Sequence, residues 1–382
     1  MARDKGLGNP CSGLHRKVPL PPAAPRRQVE TGSDDMRNAV TLKDIARETG
    51  VHVSTVSRAL GPNAHNTLTE QVITRVRVAA ARMGYVPNRL ASGLRTNRTM
   101  TVGMMIPDIT NPVFPPMVRG VESVLEPLGY ASIIVNTDNL VEREHRLADI
   151  LRERGVDGII HAAVLRHDPR IDAIVAQGTP VVTANCSLAS PDIPAVVSDD
   201  AHGIHLMLHY MYNLGHRAIT HIVGPEELSS GQIRRKAFID AADGLGLHLP
   251  EGAIARTDRF DEAAGHRAAQ HLVQAGPPFT AILCASDRLA LGAIDYLRSR
   301  GIDCPARVSV SGFNDIPMLD LIPPRLTTVR IQPFEVGRVS AQLLLQIMTD
   351  KTAACPRETV LPVSLVVRDS VTVAPDRPVS TA

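Results

Sequence analysis

Short apolar segments alternate with helical segments along most of the chain, and this alternation is the feature that most restricts its fold. From Thr101 onward, eight strand-length apolar runs end in polar residues: TVGMMIPD, ASIIVNTD, GVDGIIHAAV, TPVVTAN, PAVVSDD, AITHIVGP, FTAILCASD and VSVSGFND. Nearly continuous apolar strands separated by helices are typical of parallel sheets covered by helices on both faces. Because roughly 270 residues exceed the usual size of one domain, the pattern predicts two α/β lobes. Ligands of such folds bind where the strands end, and here the strands end in Asn, Asp and Ser.

A different pattern precedes the lobes, in the segment TLKDIARETGVHVSTVSRAL. Thr41 is placed to cap a first helix, with Asp44 returning a hydrogen bond to the cap. Gly50 permits the left-handed backbone that ends this helix and aims the next one. Helices this short are marginal alone, so a third helix must cover them, and LTEQVITRVRVAAARMGYVPN has the required apolar stripe.

The second of these helices, from about Val53 to Leu60, buries one face and exposes the other. Small polar groups and one arginine lie on or near the exposed face: Ser54, Thr55, Ser57 and Arg58. These dimensions and this chemistry suit a DNA major groove, so we predict a three-helix helix-turn-helix unit. The alternative is a generic helical hairpin with a solvated basic face.

The distribution of charge favours the DNA-binding interpretation. The formal net charge of the whole chain is only +2, but residues 36–98 carry ten basic and three acidic side chains. The rest of the chain after residue 98 carries 25 basic and 32 acidic side chains. A cation excess confined to one segment is expected of a surface that meets a polyanion.

The segment PNRLASGLRTNRT links the two parts of the chain. Asn88 could cap a fourth helix in which Leu90, Ala91 and Leu94 share a face, and Gly93 weakens that helix by about 1 kcal/mol. A weak helix here is either a solvated linker or a hinge that folds when it is paired with a partner and DNA.

The segments TLKDIARETGV, STVSRAL, GYVPN, RLASGLR, NPVF, LGHRAI, ASDRLALGAIDYLRSRG and VSVSGFND with PRLTTVR together resemble the LacI/GalR family of bacterial transcription regulators. The resemblance runs from about Val40 to Arg368. It implies a DNA-binding headpiece, a hinge helix and a core similar to periplasmic sugar-binding proteins. Such a core dimerises and binds a small effector between two lobes.

The resemblance also assigns roles on the DNA-binding side. Val53 and Ser54 match the base-reading positions of the recognition helix, and Arg58 matches an arginine that contacts a base or a phosphate. Leu94 matches the hinge leucine that wedges into the minor groove, and Ala91 matches the small residue that lets two hinge helices touch. His52 departs from the usual serine cap, so either the cap shifts to a neighbour or His52 approaches a phosphate.

In the core, the resemblance implies a set of effector-binding residues: Asn111, Phe114, Asn185, Arg234, Phe260 and Asp287. Asp287 and Arg234 are expected to grip hydroxyls or a carboxylate, and the phenyl rings are expected to supply apolar cover. For Asp287 the alternative is a helix cap after a strand. The chain has no Trp, which weakens the case for a plain sugar.

We expect the following division of the chain: 1–38 a disordered extension, with Met36 as the translation start; 39–87 the helix-turn-helix domain; 88–98 the hinge helix; 99–370 the core; and 371–382 a tail. Within the core, the first lobe is expected to comprise about 99–197 and 309–330. The second is expected to comprise about 198–308 and 331–370.

Two rival classes are considered. A solute-binding protein would require export, and the first 35 residues lack the apolar core of a secretory signal. An enzyme of the doubly wound class would require a catalytic motif, and the sequence contains no nucleophile elbow, Walker A loop, dinucleotide fingerprint or HExxH helix.

The expected protein is therefore a sequence-specific DNA-binding regulator, a repressor that is not an enzyme. Its expected partners are a palindromic double-stranded operator, a sugar-like effector and a second copy of itself, since no heptad follows the last strand to drive tetramers. The five scattered cysteines and fourteen histidines predict no metal site, and we expect no cofactor and no membrane association. The expected location is the cytoplasm, on the nucleoid.

Overall fold

The structure is a computed structural model of the 382-residue chain. It describes residues 40–61, 64–85, 98–162, 164–190, 192–350 and 355–379. The chain divides into two compact units, Met1–Asn88 and Arg89–Ala382.

The first unit contains the three predicted helices. They are α1 (Leu42–Thr49), α2 (Val53–Ala59) and α3 (Glu70–Arg82), with a short 3₁₀ helix at Ala64–Asn66. Their apolar faces meet in one small core around Ile45, Val56 and Val76. Gly50 ends α1 in the left-handed conformation at φ 66°, as expected from the sequence. The headpiece prediction is therefore confirmed for the residues described.

The second unit contains two lobes, and the one that we call the first lobe is built on a six-stranded parallel sheet. Its strands are β1 (Thr101–Ile106), β2 (Ala131–Asn136), β3 (Gly158–His161), β4 (Val181–Ala184), β5 (Ala195–Ser198) and β11 (Glu358–Leu361), and the order is β11-β5-β4-β3-β1-β2. Its helices are α4 (Phe114–Leu125), α5 (Val141–Glu153), α6 (Pro169–Ala176) and α11 (Pro333–Thr349), with a 3₁₀ turn at Glu126–Leu128. Successive strand residues face opposite sides. Met104 accordingly joins one apolar cluster, and Met105 joins another with Leu151 of α5.

Two glycines allow α4 and α11 to approach closely. A β-carbon on Gly120 would lie 2.0 Å from the Phe334 carbonyl oxygen, and one on Gly337 would lie 2.0 Å from the Met117 carbonyl oxygen. Because each glycine has no side chain, the backbone of the other helix can lie directly against it. This contact fixes the C-terminal helix on the first lobe.

The second lobe has a four-stranded parallel sheet. Its strands are β6 (Ile219–Ile222), β7 (Ile254–Ala255), β8 (Ala281–Cys284) and β9 (Ser309–Ser311), in the order β7-β6-β8-β9. Its helices are α7 (Asp200–Asn213), α8 (Ser229–Gly244), α9 (Glu262–Ala275) and α10 (Asp287–Ser299), and α7 packs on α8 as α9 packs on α10. Strands β10 (Thr328–Arg330) and β12 (Ser364–Val366) form a separate antiparallel pair.

The observed division of the lobes differs from the expected one. Residues 309–330 were expected in the first lobe, but β9 pairs with β8 in the second sheet. Residues 331–370 were expected in the second lobe, but α11 packs on α4 and β11 pairs with β5 in the first sheet. The expectation was wrong because strands of two parallel sheets carry the same apolar pattern, and only their pairing shows which sheet they join.

Within the described ranges, no helix is both long enough and apolar enough to span a bilayer.

Candidate functional site

Helix α2 has a polar, accessible face in the first unit. Val56 and Ala59 are buried beneath it. The predicted DNA-contacting residues of this helix are exposed (His52, Ser54, Arg58) or half-buried (Val53, Thr55, Ser57). The structure thus presents all six side chains at or near the surface, which is what contact with a groove requires.

His52 itself caps α2. Its Nδ1 atom accepts the Ser54 N–H at 3.2 Å and lies 2.8 Å from the Ser54 hydroxyl. The cap has therefore not shifted to a neighbouring residue, and an exposed imidazole ring stands at the start of α2.

Thr41 takes part in a capping box at the start of α1. Its hydroxyl donates to Asp44 Oδ2 at 2.6 Å and its N–H donates to the same oxygen at 2.9 Å. These hydrogen bonds from Thr41 lower the pKa of Asp44. Thr41 is exposed, and its hydroxyl oxygen keeps acceptor capacity.

Several cations of the first unit have no acidic partner. Among residues 40–61 and 64–85, the basic side chains outside any ion pair with Asp or Glu are Lys43, Arg58, Arg75 and Arg77. Cations without an internal partner can neutralise phosphates without first breaking a pair. The predicted hinge residues Asn88, Ala91 and Leu94 lie outside the described residues.

The second unit contains a cavity of about 170 Å³ between its two lobes. Residues that follow strand ends line it from both sheets: Asp108 after β1, Asn139 after β2, Ala162 after β3, Asn185 after β4, Pro225 after β6, Phe260 after β7, Ser286 after β8 and Asn314 after β9. This is the position that the sequence predicted for a ligand. Five of the predicted residues line it: Asn111, Phe114, Asn185, Arg234 and Phe260.

Arg234 is almost completely buried at the cavity wall, with 4% of its side chain exposed. Nη2 donates to Asp200 Oδ1 at 2.8 Å, and Nη1 donates to the Ala285 carbonyl oxygen at 2.6 Å. The guanidinium lies 3.8 Å above the ring centroid of Phe313. Its Nε has no hydrogen-bond partner within the described part of the chain. A buried donor without a partner is costly, so Arg234 Nε is a polar group beside the cavity that this conformation leaves unsatisfied.

Arg288 forms an ion pair that crosses from one lobe to the other. Nη1 donates to Asp108 Oδ2 at 2.8 Å, and Nε and Nη2 donate to the two Glu262 carboxylate oxygens, each at 2.8 Å. Asp108 belongs to the first lobe, whereas Arg288 and Glu262 belong to the second. Hydrogen bonding to Arg288 lowers the pKa of Glu262. Partial burial opposes ionisation of Asp108, but hydrogen bonds from Thr110 and Arg288 outweigh it and lower its pKa.

The expected role of Asp287 is wrong, because its side chain does not line the cavity. Asp287 is fully buried, and its carboxylate accepts the Ile316 N–H at 2.9 Å and the Thr328 hydroxyl at 2.5 Å. Burial raises its pKa to about 6. The preceding residue, Ser286, lines the cavity and caps α10. Ser286 and Asp287 are adjacent in the chain, but Ser286 lines the cavity whereas the Asp287 carboxylate is buried inside the lobe.

Sequence reasoning missed the charged pair Asp108 and Arg288 and the amide of Asn314. Both Asp108 and Asn314 stand at strand ends, in PD and FND, so the rule about strand ends could have found them. Arg288 had no such signal, because its neighbour across the cleft is 180 residues away in the chain. Within the described ranges, no three His, Cys, Asp or Glu side chains are placed to share a metal ion.

A helix-turn-helix unit with an exposed polar recognition helix, followed by two parallel-sheet lobes around a cavity, defines a class of protein. The class is that of DNA-binding regulators built on a core like that of periplasmic binding proteins.

Comparison with known proteins leads to the same class. The family described as "Bacterial regulatory proteins, lacI family" matches residues 41–88, and the "Periplasmic binding protein-like domain" matches residues 208–371. The transcriptional repressor CytR of Escherichia coli K12 is 31% identical over 314 residues, covering 81% of this chain and 90% of CytR. The transcriptional regulator RegA of Clostridium saccharobutylicum is 30% identical over 315 residues, covering 82% of this chain and 94% of RegA.

The fold is also similar to a solved structure of the lac repressor dimer bound to operator and the anti-inducer ONPF. The TM-score is 0.77 at 25% identity, with 88% of this chain and 100% of that chain covered. The chain belongs to the lacI family of bacterial regulatory proteins, and it is a DNA-binding transcriptional regulator.

Proposed function

We propose that the protein is a repressor that binds a pseudo-palindromic operator as a homodimer and changes its DNA affinity when a small, sugar-like effector occupies the cavity. The observation that carries the proposal is the pairing, in one chain, of the exposed polar face of α2 with a cavity at the strand ends of two lobes. Relatives named as a transcriptional repressor and as an operator-bound dimer support it.

On the DNA side, Val53 and Ser54 read base edges, and Thr55, Ser57 and Arg58 contact the adjacent groove and backbone. Thr41 and His52 stand at helix N-termini, where an N–H or hydroxyl can meet a phosphate oxygen. The proposed DNA-contacting set also includes Asn88, Ala91 and Leu94, which lie outside the described part of the chain, and Leu94 is the residue proposed to enter the minor groove between base pairs.

On the effector side, the five lining residues Asn111, Phe114, Asn185, Arg234 and Phe260 bind the ligand. Side-chain amides and the Arg234 Nε supply hydrogen bonds, and the two phenyl rings cover apolar faces of the ligand. Binding closes the lobes because groups from both sheets meet the same molecule. An effector shifts the equilibrium only by its differential affinity for the two states, so we expect a coupling of about 1–3 kcal/mol.

Two groups of exposed apolar side chains support the homodimer. On the first lobe, Ile134 lies on β2, an edge strand of its sheet, and Leu140 and Val141 lie just beyond it. On the second lobe, Met318, Leu321 and Ile322 are 60%, 70% and 51% exposed. An edge strand and contiguous apolar residues that are open to water favour association with another copy.

The protein acts by binding rather than by turnover, in the cytoplasm and on the nucleoid. Purified protein incubated with candidate sugars is expected to return them chemically unchanged, and an observed product would contradict this part of the proposal.

The proposal is tested by mapping the genomic binding sites of the full-length protein and then measuring affinity for a mapped site and for a random duplex. We expect a two-fold symmetric motif, dimers in sedimentation, and an operator affinity that falls steeply with salt. A monomer with equal affinity for both duplexes at physiological ionic strength would refute the repressor. Genes that neighbour the sites would indicate the chemistry of the effector.

A further inference from the structure

A second concave surface lies along the boundary between the two lobes, and we call it the arginine groove. Its charged lining residues are Arg166, Arg235, Lys236, Arg357, Glu226 and Glu358. Among the described residues, no residue that lines this groove also lines the cavity. We propose that the groove binds a small molecule that carries a phosphate group and contacts both lobes. The inference goes beyond the proposed function, because it concerns a separate site with a different ligand.

The arginine groove contains residues from both lobes. It consists of two depressions of about 500 and 370 Å³, and Arg166 and Ile233 line both of them, so the two adjoin. Volumes of this order are usual for the binding sites of small molecules. Arg166 follows β3 and Arg357 precedes β11 on the first lobe, whereas Arg235 lies on α8 of the second lobe. A ligand that meets these arginines therefore contacts the two lobes at once.

The groove is positively charged, although the core as a whole is negatively charged. Its lining carries four cations and two carboxylates. Ion partners just outside the lining add one charge of each sign, since Arg256 pairs with Glu226 and Asp240 pairs with Lys236. The net charge of the groove is therefore +2, whereas the chain after residue 98 carries 25 basic and 32 acidic side chains. A local positive potential in a negatively charged core attracts small anions to this place.

The two arginines of the first lobe have no carboxylate partner. Within the described ranges, neither Arg166 nor Arg357 forms an ion pair with Asp or Glu. Arg357 Nη2 donates to the Ala189 carbonyl oxygen at 3.3 Å, which uses one of the five N–H groups of its guanidinium. Both side chains can therefore meet an anion without first leaving a carboxylate uncompensated.

Arg235 of the second lobe is held only weakly by its acidic neighbour. Its Nη1 lies 3.8 Å from Glu226 Oε1, which is too long for a hydrogen bond. The other oxygen of the same carboxylate, Glu226 Oε2, accepts a hydrogen bond from Arg256 Nη1 at 2.6 Å. Glu226 is thus neutralised mainly by Arg256, and Arg235 keeps donors for a ligand.

The chemistry of these side chains matches a phosphate group. A guanidinium presents parallel N–H groups that bind two phosphate oxygens together. A phosphate monoester carries about two negative charges near neutral pH, and its three terminal oxygens allow it to meet more than one arginine. Its charge therefore equals the excess positive charge of the groove, whereas a carboxylate carries one charge and two oxygens.

The groove adjoins segments that also form the cavity. The Ser187 N–H donates across the lobes to Ser229 Oγ at 2.9 Å. Ser187 lines the groove and the preceding residue, Cys186, lines the cavity. On α8, Arg235 lines the groove and Arg234 lines the cavity. A ligand in the groove would therefore hold the lobes at this separation through segments that both sites share.

Titration calorimetry of the full-length protein with inorganic pyrophosphate, without DNA and at constant ionic strength, tests the proposal. We expect saturable binding that Arg166→Gln and Arg235→Gln each weaken about tenfold or more, because each removes a charge-assisted contact from one lobe. Arg300→Gln is the matched control. It removes the same charge from an exposed position of the second lobe outside the groove and should leave the affinity unchanged.

Three results would overturn the proposal. The first is the absence of saturable binding at physiological ionic strength, and the second is an equal loss of affinity in Arg300→Gln, which would indicate a general attraction to positive charge. The third is an effect of Arg166→Gln or Arg235→Gln alone, which would contradict a ligand that contacts both lobes. If Arg166→Gln lowers stability, Arg357→Gln removes an exposed arginine of the same lobe and replaces it in the test.

Operator binding by the same preparation separates this proposal from the proposed function. Specific operator binding without pyrophosphate binding would overturn the arginine groove and leave the repressor in place. Pyrophosphate binding with the expected response to the variants would support the groove, even in a protein that has no preference for a mapped operator.

Discussion

Arg288 of the second lobe donates from Nη1 to Oδ2 of Asp108 in the first lobe at 2.8 Å, so an ion pair in the cavity lining joins the two lobes. The same guanidinium is anchored on its own lobe by Glu262. The arginine is therefore fixed to one lobe and meets the other only when the lobes stand at this separation. The Ser187 N–H also donates across the lobes, to Ser229 Oγ at 2.9 Å, so the separation of the lobes is coupled to this ion pair and to backbone hydrogen bonds beside it.

Arg288→Met is expected to lower the free energy of unfolding at neutral pH by about 1–2 kcal/mol, because it leaves two partly buried carboxylates without a cation. Denaturant unfolding measures the change. Arg256→Met is the control, since it removes a more exposed pair with Glu226 that should contribute little. An equal effect of both substitutions would show that the bridge between the lobes has no special contribution.

The contribution of this bridge should depend on pH with a definite sign. The pKa values of Asp108 and Glu262 are lowered from ordinary values of 3.8 and 4.5. A carboxyl group with a lowered pKa stabilises the folded state above its unfolded pKa, and this stabilisation is lost as pH falls through the folded value. The difference in unfolding free energy between wild type and Arg288→Met should be constant near neutrality and shrink below about pH 4. A difference that grows on acidification would contradict the assignment.

Asp287→Ala is expected to destabilise the core by about 2–4 kcal/mol, because the Ile316 N–H and the Thr328 hydroxyl lose a buried acceptor. Chemical denaturation gives the magnitude, and Asp243→Ala is the control on the surface. Near-normal stability combined with a lost effector response would instead support the expected role of Asp287 in effector binding.

Substitutions in α2 should distinguish a contact that reads a base from a contact that depends on charge. Ser54→Ala is expected to weaken operator binding about tenfold and leave binding to random duplex unchanged, because a base-edge contact is specific. Arg58→Ala is expected to weaken both and to reduce the salt slope by about 1. Fluorescence anisotropy over a range of salt concentrations measures both effects. Lys236→Ala, an exposed cation of the core, should change neither.

Leu94→Ala is expected to weaken operator binding while effector affinity stays unchanged, since the leucine is proposed to enter the minor groove and not the cavity. Operator anisotropy and calorimetry on the same preparation measure the two affinities. Leu128→Ala, at an exposed position of the core, is the matched control. Unchanged operator affinity in Leu94→Ala would remove the wedge from the mechanism.

The position of the cavity and several of the residues that line it could be predicted from the sequence. In parallel sheets the strand ends gather at one edge, so polar residues after apolar runs had to meet there, as Asn185 does, whereas Asn111 and the individual roles came from the family resemblance. Asp287 failed because an offset of one residue at a helix start turns a side chain from the cleft into the lobe, where Thr328 and Ile316 bind it.

The local elements of this protein follow from residues that are close together in the chain. Thr41 with Asp44, Gly50 and the apolar spacing of α3 act within a few residues of chain, and so do the alternating strands and helices of the core. Three features are visible only in the folded chain: the sheet that each strand joins, the return of β11 and α11 to the first lobe, and the contact of Arg288 with Asp108. Those outcomes depend on pairing and packing between segments far apart in the chain, and the local pattern of hydrophobicity carries no information about them.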